Sequence, residues 1–143
     1  MPVPMGERVS VGSVTYNVFQ ADWRSDLETP SGRRYPRHRF LVVRLSITNG
    51  AGENVNIPLL RVEDAGGKTY MEEDSAEGVD GWLGLLRIIA PAHTEEGAIL
   101  FDVPPGNYKL HVVDGGDLEQ QKVHFVEIPY TIAAPVQVKP PSD

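Results

Sequence analysis

The chain has 143 residues, 41% hydrophobic and 23% charged, the length and balance of one soluble globular domain with its own core. Its net charge of −7 argues against a nucleic-acid backbone as partner, because such binding needs a cationic stripe that releases counterions. Cysteine is absent, which excludes disulfides, thiolate nucleophiles and cysteine-ligated zinc.

No window approaches the ~18 consecutive apolar residues of a membrane span. The start, MPVPMGERV, has neither the charged nor the apolar region of a signal peptide. The chain is then either cytoplasmic or the mature part of an exported protein. Met1 to Gly6, with prolines at 2 and 4, is expected to fray.

Val9 and Val11 predict a short strand, and Gly12-Ser13 a kink at which the first strand switches sheets. Val14, Tyr16 and Val18 resume the alternation as far as Trp23. Leu27 to Pro36 reads as a loop with Pro-Ser-Gly at its tip. Arg39 to Asn49 follows, with Leu41, Val43, Leu45 and Ile47 on one face and Arg44, Ser46 and Thr48 on the other. Phe40 and Val42 add apolar bulk to the outer face, which predicts a central strand covered there too. Asn49-Gly50 closes it with a turn.

Val55 to Asp64 predicts a strand with a bulge or unpaired position at Pro58, since proline cannot donate to a ladder. Asp64 to Gly67 turns into a short strand at Lys68 to Met71. Glu72 to Gly84 is a long acidic loop, and Trp82 to Ile89 reads as irregular structure ending in a short strand. Strands follow at Gly97 to Val103, Tyr108 to Val113 and Val123 to Ile132. Seven to nine short strands with regular turns, and at most one helical turn, define an antiparallel β-sandwich of immunoglobulin-like type. The domain is expected to span residues 7–133, with flexible termini at 1–6 and 134–143.

Gly106, Tyr108 and Leu110 resemble the tyrosine corner of immunoglobulin-like domains, with the Tyr108 hydroxyl tied to upstream backbone and Leu110 in the core place that antibodies fill with cysteine. A proline-glycine turn with a packed tyrosine explains the same residues. The wider pattern comprises Val14-Thr15-Tyr16-Asn17-Val18, Phe40-Leu41-Val42-Val43, Ile47-Thr48-Asn49, Ile57-Pro58, Asp64-Ala65-Gly66, Trp82 and Phe101-Asp102-Val103-Pro104. It resembles the telokin-like, immunoglobulin-like domains of unknown function in bacterial secreted proteins and lipoproteins, of the mycobacterial immunoprotective secreted antigen type. That resemblance implies a two-sheet sandwich, a place outside the cytoplasm and no established catalysis. It transfers no site residues. The leader or lipid-anchor cysteine of exported members has no counterpart here.

Nucleophile-elbow, zinc-protease, P-loop and dinucleotide motifs are all missing, so the expectation is a non-enzymatic binding module without a cofactor. Arg33, Arg34, Arg37, His38 and Arg39 form a basic knot around Tyr35-Pro36, and interface-prone residue types pick out Arg33, Arg34, Tyr35, Arg37 and Trp82 as the binding surface. The partner would be a protein or envelope component reached through loops 27–36, 50–54 and 72–84. Solvated loops, and a core plug in the case of Trp82, are the plainer readings. An alternative places His111 opposite His124 on the last hairpin, two imidazoles able to share a metal. Glu72, Glu73, Asp74, Glu77 and Asp80 offer a calcium alternative, without EF-hand spacing. An exposed edge strand would allow a dimer by sheet extension.

Overall fold

In β5 (Arg39–Asn49) alternation sets the faces: Leu41, Val43, Leu45 and Ile47 are buried, while Arg44, Ser46 and Thr48 stay partly in water. The computed structural model describes residues 2–115 and 122–130. β5 pairs antiparallel with β2 (Val14–Arg24) and β10 (Thr94–Val103), and β1 (Arg8–Val11) lies outside β2, so the first sheet runs β1-β2-β5-β10. The second sheet runs β12-β11-β7-β8, from Val123–Ile128, Tyr108–Val113, Arg61–Asp64 and Thr69–Met71. Two small pairs sit beside them, β3 (Leu27–Thr29) with β4 (Gly32–Arg34) and β6 (Val55–Asn56) with β9 (Ile88–Ile89). The named strands pair antiparallel, and no helix occurs among the described residues, hence none long and apolar enough to cross a membrane.

The sheets enclose one main core. Tyr16, Leu41, Val43, Ile99 and Phe101 of the first meet Val62, Leu110, Val112 and Val126 of the second. Burial of each large apolar side chain contributes about 1.5–3 kcal/mol. A smaller core lies on the back of the first sheet, where Phe40, Val42, Ala98 and Leu100 are covered by Leu27 and Ala76, with Val79 and Trp82 packed alongside. That cover is why β5 tolerates apolar residues on both faces, as its sequence predicts.

Several local expectations change. Gly12-Ser13 is a hairpin turn rather than a sheet switch: Val11 pairs directly with Val14, and Gly12 has φ 61°, as a type II′ turn requires at its first central position. The chain changes sheets earlier. Val3, expected to fray, bridges Val126 at the edge of β12, accepting from Glu127 N and donating to Phe125 O, before β1 joins the other sheet. Leu27 to Pro36 contains the hairpin β3–β4 around Pro30-Ser31. Pro58 does end pairing, falling between β6 and β7, which belong to different sheets.

The last hairpin is one residue out of the predicted register. Val113 pairs with Val123, so His111 faces Phe125 and His124 faces Val112. A one-residue slip exchanges the faces of a strand, and here it sends Val126 and Ile128 into the core in place of Phe125. The two β-branched residues fill the space opposite Leu110 and Tyr108. His111 and His124 therefore lie on opposite faces of the sheet. The tip of this hairpin, 116–121, and the predicted strand end at 131–132 fall outside the described residues.

Candidate interaction face

Trp82 to Ile89 was legible as an apolar run, but one cation divides it. Arg87 is only 4% exposed and Glu72 only 3%. Arg87 Nη1 and Nη2 each donate to a Glu72 carboxylate oxygen at 2.6 Å. Arg87 Nε donates to Gly84 O at 2.8 Å, and Leu60 N donates to Glu72 Oε2 at 2.7 Å. A buried ion pair persists only when its remaining hydrogen-bonding groups are also matched, and this one is matched on both partners. Ile89 is buried beside it.

Burial alternates from here into β9: Arg87 and Ile89 point inward, while Leu86 is 83% exposed and Ile88 59%. Leu85, in the bend before them, is 52% exposed. These three apolar side chains form a prong whose backbone is clamped from beneath. Next to it a groove of about 610 Å³ crosses the outer face of the second sheet, lined by Pro58, Leu59, Met71, Val113 and Val123 with Arg61 and His111 among them. Asn56 also lines this groove and pairs directly with Ile88, and cross-strand partners share a face. Ile88 thus stands at the edge of the groove, with Leu86 and Leu85 just before it in the chain. His111 Nε2 donates to Glu63 Oε1 at 2.9 Å, its ring standing edge-on to Phe125 at 4.8 Å.

Two arginines of the basic knot, Arg33 and Arg34, are occupied within the molecule. Arg33 pairs with Asp26 at 3.1 Å and Glu28 at 3.4 Å. Arg34 pairs with Glu73 at 3.6 Å, donates to Glu77 O and lies 5.3 Å over the Phe40 ring. The Asp102 carboxylate accepts from the backbone N–H groups of Arg37 and His38. Tyr35 is 69% exposed. Trp82 is half-buried against the smaller core and bridges Ala98 on the outer edge of β10. The structure does not gather these residues with Arg33 into one patch: Arg33 lines a polar cleft with Asp26, Arg44 and Asp80, Arg37 another with His38, Lys68 and Glu73.

The acidic loop is likewise dispersed, with Glu72 on Arg87 and Glu73 on Arg34. No group of three candidate metal ligands occurs among the described residues. Burial and the nearby Asp102 hold the Glu73 carboxyl above its ordinary value, with Arg34 opposing. Tyr108 Oη donates to Pro104 O, its ring tilted against Trp23 and edge-on to Tyr70. Burial, ahead of the neighbouring Tyr70 and Asp64, pushes its hydroxyl up to about 12. Leu110 is fully buried at the centre of the second sheet.

Sequence reasoning missed the prong because it treated Trp82 to Ile89 as a single apolar unit. The signal was present. An arginine between apolar residues, downstream of an acidic run, marks an inward-facing position and so inverts the expected faces of its neighbours.

A two-sheet antiparallel sandwich with a tyrosine tie and no disulfide defines a class, the cysteine-free immunoglobulin-like β-sandwich. Residues 3–123 match the model of a domain of unknown function, DUF4352, and the chain belongs to that family. No curated protein sequence matches it. Similar solved structures include the yjhA protein of Bacillus subtilis, with TM-score 0.65, 10% identity, and 88% of this chain and 98% of that one covered. A putative lipoprotein of the same organism, ycdA, has TM-score 0.64 and 15% identity over 86% of this chain and 38% of its own. The secreted protein MPT63 of Mycobacterium tuberculosis has TM-score 0.61 and 15% identity over 90% and 98%. At such identities the likeness is one of fold.

Proposed function

We propose that the chain is a non-enzymatic interaction module exposed outside the cytoplasm, a single sandwich that takes in Val3 and Met5 ahead of the expected start at residue 7 and presents the prong Leu85, Leu86 and Ile88 to a protein or envelope component. The observation that carries this is the clamp. Three large apolar side chains at 52–83% exposure are held out by a backbone whose intervening Arg87 is locked in a buried ion pair. A chain avoiding contact has no use for such a surface, and one pre-organised for contact gains affinity by losing less entropy on binding. The place outside the cytoplasm is supported by the secreted protein and the lipoprotein among the similar folds.

Tyr35 favours a second reading, recognition through the basic loop with Arg37. Its ring is 69% exposed, and the Arg37 guanidinium forms no salt bridge among the described residues, acting on the Glu73 carboxyl only through space. Arg33 and Trp82, which line other parts of the surface, fall outside that contact.

The test is retention of envelope-fraction components of the native host on immobilised wild type, Leu86→Asp and Tyr35→Ala, read by quantitative mass spectrometry. Leu86 is exposed enough that Leu86→Asp should melt like the wild type. Components held by wild type and lost with Leu86→Asp support the prong. Loss only with Tyr35→Ala moves recognition to the basic loop, and identical profiles for all three remove both surfaces.

A further inference from the structure

We infer that the partner of this face is a second copy of the same chain, the prong of each copy seated in the groove of the other about a two-fold axis. The inference rests on the interaction reading above and names its partner. Both halves of the contact are present on one molecule: an apolar projection of Leu85, Leu86 and Ile88, and an apolar groove of about 610 Å³ walled by Pro58, Leu59, Met71 and Val123. They are adjacent, joined through the Asn56–Ile88 pair and the donation of Ile57 N to Arg87 O. A two-fold interface uses the same patch on both subunits, so a projection beside a recess of matching chemistry is what it requires.

The areas agree. Leu85, Leu86, Ile88, Met71 and Val123, at 41–83% exposure, present roughly 500 Å² of apolar surface per copy, or about 1,000 Å² for the pair, at the lower limit of a specific interface before any polar rim is added. Charge argues against the bilayer as occupant. A surface-seated apolar segment is normally flanked by several lysines or arginines, whereas Arg87 within this prong is buried on Glu72, the groove lining adds the single Arg61, and the chain carries −7. Arg61 and His111 lie within the groove between Met71 and Val113, so its floor carries polar groups between apolar walls.

Sedimentation velocity across a concentration series up to roughly 1 mM tests this on wild type, Leu86→Asp, Met71→Lys and an equimolar mixture of the two variants. Expected are a reversible wild-type dimer and a dissociation constant raised at least about tenfold in each variant alone, with melting unchanged. In the mixture one prong and one groove remain intact and the altered pair is Asp against Lys, so a heterodimer returns. A wild type that stays monomeric throughout overturns the second copy. If its Leu86-dependent retention of envelope components persists, the interaction reading stands with a different partner, and co-sedimentation with zwitterionic vesicles separates lipid from protein. Variants that dimerise like wild type, or a mixture that stays monomeric, overturn the prong-in-groove contact.

Discussion

Glu73 shows how one residue's surroundings set its contribution. Its carboxyl is partly withdrawn from water and faces Asp102, so burial first and that neighbour second raise its pKa, while Arg34 at 3.6 Å offsets part of the effect. A carboxyl with a raised folded-state pKa contributes stability that is fully present below the ordinary carboxyl value and is lost as pH rises through the raised one. Glu73→Gln should therefore gain on the wild type as pH rises, melting higher relative to it near pH 7 than near pH 3.5, by at most about 2 °C. The lost ion pair, half in solvent, subtracts little. Thermal melts of both proteins at the two pH values decide it, and a constant gap would remove the proposed desolvation. Tyr108 was more fully legible, because a tyrosine two residues before a buried position and just after Pro-Pro-Gly has its hydroxyl delivered to the turn by chain geometry alone. The arginine knot was not. Which of the four neighbouring arginines stays free depends on Asp26, Glu28 and Glu73, while Asp102, 65 residues away, fixes the backbone of Arg37.

At the level of elements, the segment joining the acidic loop to β9 depends on Arg87. Arg87→Met leaves the Glu72 carboxylate buried without its counter-ion, which costs about 3–5 kcal/mol and should lower the melting temperature by roughly 10 °C. Glu72→Leu combined with Arg87→Met should recover part of that loss, since a buried pair replaced as a unit by apolar side chains is far less costly than half a pair. Recovery stays incomplete because Leu60 N loses its acceptor and the Gly84 carbonyl its donor. Differential scanning calorimetry of both variants checks this, and a near-neutral Arg87→Met would mean that water or another cation reaches Glu72. The long strands were readable because alternation over eleven residues is self-averaging: β2 and β5 fall where their patterns place them, as does the six-residue β11 between its turns. The register of β12 was not, since Val123 and Phe125 on one parity and Val126 and Ile128 on the other are equally apolar. Only packing against Leu110 and Tyr108 separates them. The candidate face suffered the same ambiguity, because an unbroken apolar run carries no parity until a buried charge supplies one.

For the whole molecule the governing problem is the sheet edge, where unpaired N–H and C=O groups invite other chains. The outer edge of β10 is covered by Gly81 to Leu83, with Leu83 N donating to Ala98 O and Ala98 N to Gly81 O. This approach demands glycine at 97, because a Cβ there would collide with the Gly81 carbonyl. The outer edge of β12 is covered by Val3, which exchanges two backbone hydrogen bonds of 2.8 and 2.9 Å with it while Val3 and Met5 pack against the main core. The first residues thus join both sheets, since Gly6 N already donates to Val18 O in β2. Deleting residues 1–5 removes that seal and part of the core's cover together, at about 2–4 kcal/mol from the lost burial and hydrogen bonds, so the melting temperature should fall by roughly 8 °C. The freed edge has a second consequence that simple destabilisation lacks. Val126 and Ile128 lie on a strand whose backbone would now be open to pairing, so light scattering should rise with protein concentration well below the new melting temperature. Val3→Ala separates the two effects. It keeps both backbone bonds and loses only side-chain burial, and should melt lower than wild type without scattering. Equal scattering from Val3→Ala and the deletion would show that lost core cover, not the uncovered β12 edge, drives association.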